Sequence, residues 1–246
     1  IGVLGIACQW FAWWVRIPSI LFLLTMGIIV GPVLNLINPD ALFGNLLFPF
    51  ISLSVAVILF EGSLTLKFED IRGHGKTVSN LVSTGALITW LIIGYSTYRL
   101  LDLPIELAFL FGAIVVVTGP TVIIPMLRIV RPNTKVANVL RWEGIVIDPL
   151  GALLAVLVFD FIISGQQNNA LGMIFLTFGK IIFSGLIIGF VSGWSIGELL
   201  RKQYVPQYLR NIFTLISVFA IFVISEMIES ESGLLAVTVM GLQWLI

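Results

Sequence analysis

The chain has 246 residues, of which 59% are hydrophobic and 11% charged, and its thirteen basic and thirteen acidic residues cancel to a net charge of zero. With a mean hydropathy of +1.10 it lies far from a soluble domain, in which about 25% of residues are charged. Membrane burial is the class that remains. Basic residues scattered among short loops exclude nucleic acid as a partner, and the single cysteine, Cys8, excludes an intrachain disulfide or a Cys-rich metal centre.

At ~20 apolar residues per span, this length holds roughly nine helices and no soluble domain, an all-α multi-span helical bundle. Residues 1–14 lack a basic leader and a small-residue cleavage site, so they read as the remainder of a first span rather than a signal peptide. Helices at 17–35 and 43–63 follow, the latter closing on Glu61 in 57-VILFEGSL-64. The loop 64–77 carries the lone His74, read as a solvated histidine. After a helix at 78–99 comes 104–131, interrupted at its midpoint by Thr118-Gly119-Pro120, and then 136–163, which carries Asp148 and Pro149.

The next helix, 170–199, would be about 45 Å long against a ~30 Å hydrocarbon core. Lys180 is therefore placed toward the outer half, where a long side chain reaches the interface. Gly185, Gly189, Gly193 and Gly197 line one small-residue face suited to close packing, within the bundle or across a dimer. Helices at 208–228 and 232–246 complete the set. The last ends inside an apolar run, so the chain is expected to be a piece of a longer membrane protein.

Charges test this count. One set of loops carries Arg16, Lys67, Arg72, Lys76, Arg128, Arg131, Lys135, Arg141, Arg201, Lys202 and Arg210, eleven of the thirteen basic residues. The opposite set holds only Arg99 among acids such as Asp40, Asp102, Glu106, Asp160, Glu229 and Glu231. The positive-inside rule makes the first set cytoplasmic, in a multi-pass protein of the cell membrane.

A carboxylate at bilayer depth is costly, and it marks a functional site by default. Asp148 stands at the centre of 136-VANVLRWEGIVIDPLGALLAVLVF-159, beside a span whose backbone is broken at the same depth. Pro120 cannot donate to the Val116 carbonyl, nor Pro125 to that of Thr121, and Gly119 adds freedom between them. Freed carbonyls and the Thr118 hydroxyl are oxygens of the kind that ligate hard cations. Pro149 frees one more carbonyl, that of Ile145, within a turn of the acid. Burial disfavours the charged form of a carboxyl group, so a proton and a cation become rivals for Asp148. Glu143 lies about 7.5 Å nearer the basic side and about 140° round the helix. It therefore does not pair with Asp148, and serves better as a structural ion-pair partner. Glu61 is read as an interfacial acid or as lining a cytoplasmic funnel.

These segments, with 21-LFLLTMGIIVGP-32, 59-LFEGSLTL-66, 111-FGAIVVVTGPTVIIPMLR-128 and 232-SGLLAVTVMGL-242, resemble the monovalent cation:proton antiporter superfamily, in particular its NhaP-like sodium/proton and potassium/proton exchangers. The resemblance implies an inverted-repeat antiporter fold, with 1–163 as the first six-helix repeat and 164–246 as a linker helix and the start of a second, truncated repeat. It also implies that Asp148 is the essential aspartate, Thr118 the coordinating threonine, and Glu143 the partner of an arginine on a later helix. Two positions depart from the family pattern: Gly119 replaces the Asp of a Thr-Asp-Pro run, and Ile147 replaces the first member of an Asn-Asp or Asp-Asp pair. A single carboxylate implies electroneutral one-for-one exchange, with Na⁺ and K⁺ both open. A homodimer is the expected assembly, and the branch with these patterns implies a cytoplasmic regulatory domain outside these residues. No cofactor is expected beyond the transported ions. A cation channel or pore-forming subunit is the alternative, since an acid beside free carbonyls also suits a pore. An enzyme is not expected: there is no transmembrane His and no HExxH.

Overall fold

A computed structural model describes residues 1–71, 73–163 and 170–243; Arg72, the 164–169 connection and the last three residues of the expected ninth helix lie outside them. Helix α1 covers Gly2–Val15 and α2 Ser19–Ile28, the latter continued by a π turn over Ile29–Val33 that absorbs Pro32. A short α3, Pro39–Phe43, and a 3₁₀ turn lead into α4, Leu47–Leu64, with a corner at Gly44, whose φ is +50°; the regular helix of this span thus starts later than the expected residue 43. Helix α5, Phe68–Ile71, lies in the region read as a loop, and α6, Gly75–Asn80, begins three residues before the helix expected at 78; His74 is the residue preceding α6. A second π turn, Leu81–Gly85, joins α6 to α7, Ala86–Leu101.

Helix α8, Ile105–Val115, and α9, Pro120–Val130, are the two halves of the interrupted span. The remaining helices are α10, Thr134–Ile163; α11, Ala170–Arg201; α12, Arg210–Ile228; and α13, Ser232–Gln243. Among the described residues five helical segments are long and apolar enough to cross a membrane, and four apolar helices are shorter. Counting α8 and α9 as one broken span, these make up the nine expected passages. Helix ends share one chemistry. Arg16, Asp102, Arg131 and Gln203 take the left-handed conformation, and each is followed within three residues by a proline that cannot continue the helix.

The main core is built by Ala56, Leu59 and Phe60 of α4, Ile196 of α11, Val218 and Phe222 of α12, and Val237 and Met240 of α13. Helix α13 is the centre of this core. Ser232, Gly233, Leu235, Ala236, Val237, Thr238, Met240 and Gly241 are all buried, so it is covered on nearly every side. A helix apolar all round belongs in such a position. The glycine face of α11 packs on it, within the bundle: a Cβ on Gly185 would meet Leu235 at 3.0 Å, and one on Gly193 would meet the Met240 carbonyl at 3.0 Å. A second core, Leu66, Val78, Trp142 and Ile145, ties the α5–α6 region to α10. Lys180 lies exposed on α11.

Four residues of the basic set gather at one end of the bundle. Arg16, Arg128 and Arg131 line one cavity, and Arg128 and Arg141 line an adjoining one. At the other end, Glu226 of α12 accepts the N–H of Glu231 and that of Gly233, each at 3.0 Å, satisfying free donors at the start of α13. Burial, then the charges of Glu226 and Asp160, hold the Glu231 carboxyl above the usual carboxylate range. Asp160 at the end of α10 thus lies on the same side as the α12–α13 turn.

Two predictions follow from this packing. A Cβ on Gly189 would reach the Val239 side chain at 2.8 Å, whereas one on Gly179 would meet nothing within 4 Å. Gly189→Leu should therefore cost about 1–3 kcal/mol or more and lower the thermal midpoint in detergent, while Gly179→Leu leaves it unchanged. For Glu231, a raised folded-state value means that the protonated form suits the fold: its contribution is full below about pH 4 and is lost as pH rises through the folded value. Glu231→Gln should raise the thermal midpoint at neutral pH, and that gain should vanish below about pH 4.

Candidate functional site

The site begins with the failure of one helix to continue. The regular ladder of α8 stops at the Val116 N–H, which donates to the Gly112 carbonyl at 3.1 Å. It restarts only where the N–H groups of Val122 and Ile123 donate to the Gly119 carbonyl, both at 3.2 Å. Between them Gly119 is extended, with φ −80° and ψ 148°, and Pro120 opens α9 in the first-turn position where its missing N–H costs nothing. The break therefore starts at Val116, two residues before the Thr-Gly-Pro run. A carbonyl-rich C-terminus and an N–H-rich N-terminus meet inside one span, with partial charges of opposite sign.

The first half is held against α7. Trp90 Nε1 on α7 donates to the Phe109 carbonyl on α8 at 2.9 Å, and the two rings meet edge to face at 5.8 Å. Below them the backbones of α7 and α8 are close: a Cβ on Gly112 would lie 3.0 Å from the Gly94 nitrogen and from the Trp90 carbonyl.

Helix α10 brings the acids to the break. A Cβ on Gly144 would lie 3.4 Å from the Thr118 carbonyl oxygen and 3.2 Å from Ile123 Cγ1, and one on Gly151 would collide with the Val117 side chain. Residues 144, 148 and 151 share one helical face, so the half-buried Asp148 stands on the face of α10 that abuts the break, between these two contacts. Thr118 Oγ1 donates to Glu143 Oε1 at 2.7 Å. The break is thus tied to α10 by a side-chain bond on one flank and by glycine-mediated packing on the other. Ile147, 3% exposed, and the buried Pro149 turn into the protein core and away from any solvated position.

Glu61 sits elsewhere. It is exposed at the end of α4, in a cleft of about 260 Å³ shared with Ile124, Pro125 and Arg128 of α9, on the basic side of the break. Among the described residues the ion pairs are those of Glu198 with Arg201 and Lys202, and Asp148 has no basic partner. Two features were missed in the sequence: the Thr118–Glu143 bond, and the roles of Gly144 and Gly151. The signal for the glycines was present, since small residues four before and three after a buried acid leave room on its own face for another backbone.

The sequence model of the family described as "Sodium/hydrogen exchanger, transmembrane" matches residues 3–243. A Na(+)/H(+) antiporter NhaG of Bacillus atrophaeus is 31% identical over 240 residues, which is 92% of this chain and 44% of the relative. Na(+)/H(+) antiporter 1 of Methanocaldococcus jannaschii is 32% identical over 232 residues, covering 92% of this chain and 54% of the relative. The K(+)/H(+) antiporter NhaP2 of Shewanella baltica is 26% identical over 92% of this chain and 39% of its own length. The chain thus spans about half the length of the curated relatives it matches. Its fold superposes on the structure of the sodium proton antiporter MjNhaP1 from Methanocaldococcus jannaschii at pH 8 with a TM-score of 0.82 and 26% identity, covering 98% of this chain and 59% of that one. With a family match across nearly its whole length, the chain belongs to the transmembrane sodium/hydrogen exchanger family.

Proposed function

We propose that these residues form the ion-binding part of a secondary transporter that exchanges a monovalent cation, Na⁺ or K⁺, for H⁺ in a one-for-one, electroneutral cycle. The observation that carries this reading is the placement of Asp148 on the face of α10 that abuts the broken span, with no basic side chain of the described residues to neutralise it. Thr118, whose hydroxyl proton is committed to Glu143, keeps both oxygen lone pairs for a cation. The Asp148 carboxylate supplies the charge, and the carbonyls freed by Gly119, Pro120 and Pro149 complete an oxygen shell. Protonating Asp148 removes the charge and releases the cation; a cation displaces the proton. Exchange follows if the occupied, neutral site alone crosses between the two sides.

Glu143 acts in this scheme on Thr118, fixing the rotor of its hydroxyl. Glu61, beside Pro125 and Arg128, lines the approach from the basic side, which the positive-inside rule makes cytoplasmic. Ile147 and Gly119 leave Asp148 without neighbouring side-chain ligands, in keeping with a single-charge cycle. The division into a first repeat at 1–163 and the beginning of a second at 164–246, assembly as a homodimer and control by a cytoplasmic domain complete the proposal.

Three measurements on the complete protein in proteoliposomes test it. Asp148→Asn should abolish cation-driven pH change, by about a hundredfold or more, without loss of folding; surviving exchange would exclude the mechanism. Flux should be independent of membrane voltage, whereas a cation current without proton movement would favour a channel. Thr118→Val and Glu143→Gln should each weaken apparent cation affinity, and the double variant should lose less than the sum of the two, with a coupling of about 0.5–3 kcal/mol for groups in direct contact.

A further inference from the structure

The basic end of the bundle holds a second feature, which shares Pro125 and Arg128 with the cleft beside Glu61. A cavity of about 1040 Å³ opens between the α1–α2 connection and the end of α9, and its lining includes Arg16, Arg128 and Arg131 together with Gln9 and Ser19. Among the described residues none of the three guanidiniums forms an ion pair with an acid. Ser19 is the first residue of α2, so the free N–H groups of that helix start at the cavity wall. Three arginines lining one cavity, of which Arg131 also donates from Nε to the Arg128 carbonyl at 3.4 Å, and a helix N-terminus form an environment for a phosphate group, which Arg binds with paired, charge-assisted hydrogen bonds.

The surroundings identify the source of the phosphate. Trp13 and Trp14 also line the cavity and are 76% and 68% exposed. Trp13 continues a stripe of outward apolar side chains, Val3, Ile6 and Trp10, that runs along one face of α1 away from the arginines. A charged pocket at the level of interfacial tryptophans, joined to an apolar track of membrane depth, matches a headgroup with its acyl chain. We infer that this cavity binds the phosphate headgroup of an anionic phospholipid, whose chain lies along α1, and that the lipid bridges α1, α2 and the half-helix α9 that leads to the break.

Native mass spectrometry of the complete protein, with equimolar phosphatidylglycerol and phosphatidylcholine, tests this. The unaltered protein should retain phosphatidylglycerol preferentially. The triple variant Arg16→Gln, Arg128→Gln, Arg131→Gln should lose that preference by at least about tenfold, and Arg16→Gln alone, in a loop where folding is not at stake, should lose part of it. Arg201→Gln with Lys202→Gln, basic residues at the end of α11 and absent from the cavity lining, should change nothing. Equal retention of the two lipids, or an equal loss in the Arg201/Lys202 control, would overturn the inference. Complete displacement of the lipid by millimolar inorganic phosphate would overturn it too, because the occupant would then be a free anion.

Discussion

Backbone polar groups in the hydrocarbon core must be satisfied within the protein, and much of this structure is arranged around a break in one span that strains that rule. Between Val116 and Gly119 a span loses its helical ladder. An interruption of this kind is stable only against a surface that comes very close and supplies partners. Helix α10 is that surface, because Gly144 and Gly151 let its backbone approach the break and Glu143 accepts the Thr118 hydroxyl. The same face carries Asp148, whose placement at a helix centre costs about 2.5–3.5 kcal/mol on insertion scales. The expense of the acid and the expense of the break are thus located together, as expected where both serve one ion.

The scaffold is built to keep this arrangement fixed. The α7–α8 pair, locked by Trp90 on the Phe109 carbonyl, positions the half-helix before the break. On the other side of the molecule, α13 is enclosed by α4, α11 and α12, and the close fit of α11 relies on glycines where any side chain would strike α13. Sequence periodicity could not distinguish this use of the glycine face from a dimer contact. A small-residue stripe specifies close approach and leaves open the identity of the partner helix.

Much of the fold was legible because each signal had a single cause. Nine apolar passages, the loop charges and the proline-marked helix ends follow from bilayer thickness, charge translocation and the missing N–H of proline. The break itself was legible from Thr118-Gly119-Pro120, though not its start at Val116, two residues earlier. Phe68–Ile71 and the first three residues of Gly75–Asn80 were read as loop because they are largely polar; Leu66 and Val78, which flank this stretch, pack against Trp142 and Ile145 of α10. Glu143 was read from one helix alone, on which it faces away from Asp148. Its bond to Thr118 belongs to the meeting of two spans, which lies outside any one-dimensional pattern.

Competition at one carboxylate is the centre of this account, and proton release on cation binding measures it directly. When Na⁺ or K⁺ is added to the complete protein in lightly buffered detergent solution, in the pH range where Asp148 is protonated, one proton should appear in the medium for each cation bound, and none should appear for Asp148→Asn. Saturable cation binding that releases no proton from the unaltered protein would contradict the account.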